Sequence, residues 1–314
     1  MNVHKKWIGK DKLEHNGAVL DSKNGFDVID CYECGFKHVV PIPSSEELEE
    51  IYKNEYYSDE KPFYIDHYLE DKRWWDIVYK RRFDIFEKHL DKDSRKILDI
   101  GSGPGLFLLL GQKLGWSVKG IEPSRDAAKY SREKLGLDIE EIFFDINTAK
   151  EIGTFDVINM GEVLEHLPHP ADILKLAHTT LNDEGLICLI VPNDYNPFQL
   201  ALQKNSNYDS WWVAPPHHIN YFDQNSLRLL VENCGYKVLF QENTFPIDMF
   251  LMMGKNYVGN DKIGRSCHNM RKEFEMNLSK MNNDIWISMY SYFTSLGLGR
   301  ESVIIARKIS NIVN

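Results

Sequence analysis

The chain has 314 residues, of which 43% are hydrophobic and 27% are charged, and its formal net charge is −10. No block of basic residues stands out, and a surface that follows nucleic-acid phosphates needs one, so we expect no nucleic-acid partner. Residues 1–20 lack the apolar core of a signal peptide, and the longest apolar run, 186–191, is too short to span a bilayer. We therefore expect a soluble, cytoplasmic protein without a membrane span.

The first ninety residues divide into two unlike parts. Residues 1–60 are short of long apolar runs and contain the closely spaced pair Cys31 and Cys34, which predicts a small N-terminal module. Residues 61–92 predict a helical linker or cap, because apolar side chains recur at helical spacing between positions 68 and 90.

Strand-like and helical segments then alternate. Apolar runs predict strands at 96–100, 117–121, 141–144, 155–160, 185–191, 236–241 and 301–307. Helices are predicted between them, at 106–114, 126–135, 170–181 and 226–233. This alternation predicts an α/β fold with a doubly wound, mainly parallel sheet that helices cover on both faces. We assign residues 93–245 and 297–314 to this Rossmann-like core.

Residues 246–296 interrupt the alternation and form an insertion before the last strand. Helical stretches are predicted near 268–280 and 283–295. An insertion of this length usually has its own role, so we expect a lid over the acceptor, in which Arg265 and Arg271 hold a phosphate or carboxylate. A dimer contact is the alternative, and we expect a monomer or a homodimer.

The clearest local signal is the sequence ILDIGSGPG at 97–105, a buried strand that leads into a glycine turn and a helix. Glycines at this junction let a ligand approach the backbone at the carboxyl ends of the strands. The next strand ends in Glu122, whose carboxylate can accept both hydrogen bonds of a ribose diol. No Gly-Lys-Ser/Thr follows, as a P-loop requires, and a dinucleotide fold would have its third glycine where Leu106 stands.

Three ordered motifs, DIGSGPG, GIEPS and FDVINMGEVLEHL, resemble those of the class I S-adenosylmethionine-dependent methyltransferases. The resemblance covers about residues 93–245 and the final strand, and it implies a seven-stranded sheet whose last strand is antiparallel. It implies that the methionine end of the cofactor is held by Asp99, Gly101, Ser102, Gly103 and Gly105. It further implies that Glu122 and Pro123 contact the ribose and that Asp145 and Ile146 contact the adenine. The residues implied to line the cofactor cleft are Asn159, Gly161 and Glu162.

A first cluster on the acceptor side contains Glu162, Glu165 and His166. Its two acids share one face of a helical turn, with an imidazole next to them. One interpretation is that these side chains only order the loop by hydrogen bonds. The other is a divalent-metal site, completed by His217 or His218, that is similar to the site of small-RNA 2′-O-methyltransferases and some quinone-pathway O-methyltransferases.

A second cluster follows the fifth strand and contains a proline pair and a histidine pair. The spacing of His218, Tyr221 and Phe222 resembles the segment that contains the base in sugar C-methyltransferases. Imidazole suits proton removal near neutral pH, so we expect His218 to be the base in preference to His217, with His166 as the other candidate. A histidine pair that only caps a loop is the alternative.

The N-terminal module contains residues with metal-ligand spacing. Cys31 and Cys34 form a knuckle-like pair, and His15 and His38 complete a Cys₂His₂ set for structural zinc. This arrangement is similar to the cysteine-rich zinc module of sugar C-methyltransferases and their relatives, which is followed by Pro-x-Pro and Tyr-Tyr. Residues 41–43 and 56–57 match those two motifs here. The two further cysteines that are usual in that module are missing. Two reduced, buried thiols are the alternative.

This layout resembles methyltransferases of bacterial surface-glycan and nucleotide-sugar pathways. It predicts O-methylation of a sugar, nucleotide-sugar or surface-glycan precursor by S-adenosylmethionine, with a histidine as general base and the second-cluster residue Tyr221 beside it. The alternatives are C-methylation of a keto sugar and metal-dependent O-methylation through Glu162, Glu165, His166 and His217.

Overall fold

The computed structural model describes residues 3–9, 12–44, 46–48, 64–281 and 283–309. Four antiparallel strands come first: β1 (His4–Ile8), β2 (Glu14–Lys23), β3 (Phe26–Cys31) and β4 (Lys37–Val40). The sequence predicted a small module here but none of these strands, because short strands with charged outer faces give little periodic signal. The predicted module boundary near residue 60 and the Tyr56–Tyr57 pair lie outside the described residues.

Helices and strands alternate after residue 64. The first half contains α1 (Tyr64–Glu70), α2 (Lys72–His89), β5 (Lys96–Ile100), α3 (Leu106–Lys113), β6 (Ser117–Ile121), α4 (Arg125–Leu135), β7 (Ile139–Glu140), α5 (Ile146–Glu151) and β8 (Phe155–Gly161). A 3₁₀ turn, Leu164–His166, comes next, followed by α6 (Pro170–Thr180), β9 (Leu181–Pro192), α7 (Pro197–Ser206), β10 (Asn220–Tyr221), α8 (Gln224–Asn233) and β11 (Tyr236–Asn243). The chain ends with α9 (Met249–Met252), α10 (Asp261–Leu278), α11 (Asn283–Ser295) and β12 (Glu301–Lys308).

Seven of the strands form one sheet in the order β11-β12-β9-β8-β5-β6-β7. β12 is antiparallel to both of its neighbours, and the other pairs are parallel. Adjacent residues of a strand enter opposite hydrophobic clusters, Leu98 on one face and Ile97 on the other, because helices cover both faces. The predicted doubly wound α/β fold with an antiparallel last strand is confirmed.

One predicted strand is displaced. The sequence placed the third strand at 141–144, whereas β7 is Ile139–Glu140 and the following residues are irregular. Phe144 nevertheless packs into the core from this loop, so an apolar run that looks like a strand is a buried loop segment.

A second sheet joins the N-terminal strands to the core. β10 pairs with β4 and extends the order to β1-β2-β3-β4-β10. Several side chains of the N-terminal sheet also hold the segment before β10: the ammonium of Lys23 donates to the Val213 carbonyl over 2.6 Å, and the amide of Asn24 donates to the Pro215 carbonyl over 3.0 Å. Among the helices in the described part of the chain, none combines the length and the apolar character that a bilayer span requires.

The predicted helical insertion contains α10 and α11, and α10 is fastened to the start of α2. The buried carboxylate of Asp71 accepts hydrogen bonds from Arg265 at 2.7 and 2.9 Å, from His268 at 3.0 Å and from Lys272. Burial opposes the charge of Asp71, but these cationic donors together hold its pKa below the usual value. We call these contacts of Asp71 with α10 the Asp71 latch. Arg265 hydrogen-bonds both Asp71 and Glu70, so the expectation that it binds a substrate anion is not supported.

We predict that Asp71→Asn lowers the free energy of unfolding at pH 7 by about 3 kcal/mol, because Arg265 and Lys272 lose their buried counter-charge. Urea denaturation measures this loss. Since the folded-state pKa is depressed, the wild-type advantage is complete above about pH 4 and declines as the pH falls further. Asp76→Asn is the matched control: Asp76 pairs with Lys72 on the helix surface, so its loss should cost less than about 0.5 kcal/mol. Equal losses in the two variants would contradict the latch.

Candidate active site

A cavity of about 900 Å³ lies where β5, β6 and β8 end. The chain leaves β5 toward β6 on one side and returns as β8 on the other, and ligands in open α/β sheets bind at such a switch point. The volume is within the range of small-molecule sites, roughly 300–1,000 Å³. The predicted cofactor residues that line it are Asp99, Gly101, Ser102, Gly103, Glu122, Pro123, Asp145, Ile146, Asn159, Gly161 and Glu162.

Gly105 is the one predicted cofactor residue that does not line the cavity. Its φ of 79° is in the left-handed region, and a Cβ there would lie 2.7 Å from Leu137 Cδ1 and 2.9 Å from Ser131 Oγ. Gly105 is therefore required for the close packing of the turn on α4, and its direct cofactor contact is not supported.

Two buried carboxylates lie at the cofactor end. Asp99 accepts a 2.7 Å hydrogen bond from the Asn159 amide, and Glu122 accepts from the backbone N–H groups of Gly103 at 2.7 Å and Ser124 at 2.8 Å. Burial raises the pKa of Asp99 to about 7 and that of Glu122 to about 7. Glu122 thus fixes the glycine turn and presents a carboxylate to the same cavity.

Asp145 and Ile146 lie at the opposite rim of the cofactor end. Asp145 caps α5 by accepting from the N–H groups of Asn147 at 2.9 Å and Thr148 at 2.8 Å, and these bonds lower its pKa. Ile146 is 55% exposed, which is unusual for a large aliphatic side chain and leaves a surface against which a planar ring can pack.

The 3₁₀ turn Leu164–His166 forms the centre of the acceptor side. Glu165 is only 1% exposed, and neither of its carboxylate oxygens has a hydrogen-bond partner within the described ranges. Burial, and then the charge of Glu162, raise its pKa well above the usual value. His166 Nε2 lies 3.8 Å from Glu165 Oε1, while His166 Nδ1 donates a 2.6 Å hydrogen bond to the His217 carbonyl.

The structure changes the predicted metal set. One ligand atom each from Glu165, His166 and His218 lies within 4.8 Å of the others, and the rings of His166 and His218 pack edge to face at 4.9 Å. Glu162 and His217 are not part of this group. Glu162 lines the cavity, and the backbone carbonyl of His217 accepts the hydrogen bond from His166 Nδ1. The sequence left His217 and His218 open as the later histidine, because sequence spacing does not show which of two adjacent side chains faces the turn.

The order of preference among the predicted bases also changes. His166 lines the cavity, whereas Glu165, His217, His218 and Tyr221 are not among its lining residues. Tyr221 is fully buried, donates a 2.8 Å hydrogen bond to the His218 carbonyl and accepts one from the Ala214 N–H; burial raises its pKa. Tyr221 therefore fixes the backbone of the histidine loop, and the geometry favours His166 over His218 as the group that meets a ligand.

Sequence reasoning missed part of the acceptor side. Trp74, Trp75 and Arg300 line the cavity together with His268 and Arg271, which belong to the predicted lid. The Trp74–Trp75 pair in the helical cap was the available signal, whereas nothing in the sequence near Arg300 indicates a site. Arg271 is buried, lies 5.0 Å from the Trp74 ring centre and pairs with Glu275 over 3.3 Å.

The N-terminal sheet brings the four predicted metal ligands together. His15 Nδ1 lies 3.1 Å from His38 Nε2, 3.3 Å from Cys34 Sγ and 3.8 Å from Cys31 Sγ. A hydrogen bond from Cys34 is the main cause that lowers the pKa of Cys31, which favours the thiolate. Around tetrahedral zinc, with Zn–S of about 2.3 Å and Zn–N of about 2.0 Å, neighbouring ligand atoms lie roughly 3.3–3.8 Å apart. The spacing and the donor set therefore fit a zinc ion.

A protein-family profile described as a methyltransferase domain matches residues 65–241, which is more than half of the chain. The chain belongs to this methyltransferase-domain family. Together with the sheet order, this match confirms the predicted S-adenosylmethionine-dependent methyltransferase domain.

Relatives and solved structures resemble the methyltransferase domain. The ubiquinone biosynthesis O-methyltransferase of Ralstonia nicotianae is 31% identical over 127 residues, 36% of this chain and 53% of that protein. The one of Burkholderia multivorans is 33% identical over 129 residues, 37% and 56% respectively, so the chain spans about half the length of the curated relatives it matches. The magnesium protoporphyrin IX methyltransferase of Synechocystis, solved with S-adenosylhomocysteine, has the same fold, with a TM-score of 0.52, 10% identity, and coverage of 83% of this chain and 99% of that one.

We predict that Glu122→Gln weakens S-adenosylhomocysteine binding about tenfold, because an amide cannot accept both hydroxyl hydrogens of a ribose. Isothermal titration measures the affinity. In the wild type the affinity should rise as the pH passes through about 7, where Glu122 ionises. Glu140→Gln serves as the control, because Glu140 pairs with Lys119 away from the cavity. An unchanged affinity in Glu122→Gln would overturn the ribose assignment.

Proposed function

We propose that the protein transfers a methyl group from S-adenosylmethionine to a hydroxyl oxygen of a sugar or nucleotide-sugar acceptor, with His166 as general base. The observation that supports this most directly is the position of His166. Its imidazole lines the same cavity as Asp99 and Glu122, in the turn beyond β8, the strand that pairs with the β5 strand of Asp99.

The contacts of His166 suit the role of a base. Its Nδ1–H is held by the His217 carbonyl, so in the neutral ring Nε2 carries the lone pair. S-adenosylmethionine supplies an activated methyl group on sulfur. As the acceptor oxygen forms its bond to that carbon and the carbon–sulfur electron pair leaves with the sulfur, His166 Nε2 takes the hydroxyl proton. Glu165, 3.8 Å away, then faces the imidazolium.

The chemistry of the remaining lining residues supports a polar, anionic acceptor. Trp74 and Trp75 contribute aromatic side chains to the cavity wall, which a sugar ring or a base can contact. Arg271 and Arg300 place guanidinium groups, which suit phosphate and carboxylate, on the same wall. Since His268 and Arg271 belong to α10, we propose that residues 246–296 act as a lid over the acceptor. The name O-methyltransferase of the relatives supports transfer to oxygen rather than to carbon.

A metal-assisted version of the same reaction is the second candidate. Glu165, His166 and His218 offer one carboxylate and two imidazoles within 4.8 Å, and the Glu165 oxygens lack partners in the described part of the chain. This donor set fits Zn²⁺ or Mn²⁺, and an ion held there would acidify the acceptor hydroxyl.

We also propose that His15, Cys31, Cys34 and His38 hold a structural zinc ion. Four protein ligands close a tetrahedral site and leave no position for a substrate, so this ion would stabilise the N-terminal sheet and take no part in the reaction.

The proposed reaction predicts that a panel of nucleotide sugars, sugar phosphates and 3,4-dihydroxybenzoate, assayed with labelled S-adenosylmethionine, shows transfer to a sugar hydroxyl. His166→Gln should lower kcat at least a hundredfold and change S-adenosylhomocysteine affinity less than twofold, because the base acts only on the acceptor. His178→Gln, a substitution remote from the cavity, is the control. Methylation of dihydroxybenzoate alone would reject the sugar acceptor, and wild-type turnover in His166→Gln would reject the base.

Metal analysis separates the two metal proposals. Cys34→Ser should remove about one zinc ion per chain from the N-terminal cluster and leave any metal held by Glu165, His166 and His218 in place. His218→Gln should remove only this second metal. Purified wild-type protein that takes up no zinc would contradict the N-terminal site. A metal lost with His218→Gln would favour the metal-assisted reaction over the histidine base.

A further inference from the structure

The side chain of Asn220 ties together the two ends of the turn that contains His166. Asn220 is buried, and its amide nitrogen donates to the Leu164 carbonyl over 2.8 Å and to the Leu167 carbonyl over 2.7 Å. The N–H of the preceding residue, Ile219, donates to the Glu165 carbonyl over 2.9 Å. Three hydrogen bonds from two adjacent residues therefore fix the backbone on both sides of His166.

Asn220 begins β10, the edge strand of the N-terminal sheet, and Ile219 immediately precedes it. Asn220 is paired with His38 across β10 and β4, and the Val39 N–H donates to the Ile219 carbonyl over 2.9 Å. His38 is one of the four clustered Cys and His side chains, and its Nδ1 donates to the Val39 carbonyl over 2.9 Å. A continuous path of hydrogen bonds thus leads from the cluster to the turn at the cavity.

We propose that Asn220 is a positioning residue that couples the Cys₂His₂ cluster to His166, so that the loss of metal from the cluster displaces the His166 imidazole. With metal bound, β4 is held by His38 and β10 keeps its register. Without it, β4 and therefore β10 and the turn lose their fixed position, while the cofactor residues on β5 and β6 keep theirs. The displacement of His166 rests on the structural zinc ion proposed above, and the link to turnover rests in addition on the proposed methyl transfer.

The test follows the ring signal of His166 by NMR in protein labelled at its 11 histidines, with S-adenosylhomocysteine bound. His166→Gln assigns the signal by its absence. Asn220→Asp replaces the donor with a carboxylate that repels both carbonyls, and Asn220→Ala removes it without adding charge. Asn24→Asp is the matched control, since Asn24 also links the N-terminal sheet to the same loop but contacts Pro215 and not the turn.

We expect Asn220→Asp and Asn220→Ala to shift the His166 signal, keep their zinc and bind S-adenosylhomocysteine within twofold of wild type. Cys34→Ser, which removes a ligand of the cluster, should shift the same signal, and the double variant Cys34→Ser, Asn220→Ala should shift it no further. Asn24→Asp should leave the His166 signal at its wild-type position. The coupling is overturned if Asn220→Ala or Cys34→Ser leaves the signal unchanged, or if Asn24→Asp shifts it as much as they do. If the signal shifts as expected while no acceptor is methylated, the coupling stands and the proposed function fails.

Discussion

The site depends on the parallel alignment of β5 between β6 and β8. Because the chain leaves the central strand in one direction and returns on its other side, the loops after these strands diverge and leave a cleft at their carboxyl ends. Asp99 and Asn159 meet there over 2.7 Å although they belong to different strands, and Glu122 reaches across to the glycine turn. The antiparallel β12 then brings Arg300, just before its first residue, to the same edge.

Both acidic and basic side chains line the cavity. Asp99 and Glu122 lie at the end formed by the parallel strands, where burial raises their pKa values to about 7. His268 and Arg271 enter from α10, and their helix is held in place by the ionic latch at Asp71. The insertion thus adds basic side chains to a cavity that the strand ends line with acids. Loss of the Asp71 latch would therefore displace the α10 side chains in the cavity more than the residues at the strand ends.

The N-terminal sheet completes the acceptor side instead of forming a separate unit. Asp21 accepts hydrogen bonds from Tyr195 at 2.7 Å and Ser210 at 2.5 Å, and Lys37 pairs with Asp223 over 3.1 Å. Together with Lys23 and Asn24, these side chains hold the loop that presents the histidine pair. The position of the imidazole groups is thus decided by contacts between residues that lie far apart in the chain.

The sequence by itself determined the class of fold and predicted residues at the ends of β5, β6 and β8 that line the cavity. The runs at 96–100 and 117–121 become β5 and β6 with the predicted bounds, because strands covered on both faces contain apolar residues at successive positions, such as Ile97 and Leu98. The glycine turn and Glu122 were also readable, since each directly follows a predicted strand, although their hydrogen bond joins residues 19 positions apart. Only the tertiary structure decided that His166 rather than His218 meets the cavity, that Arg265 is neutralised by Asp71, and that β10 joins β4. These outcomes depend on which side chain faces which neighbour across long sequence separations, and local periodicity contains no information about that.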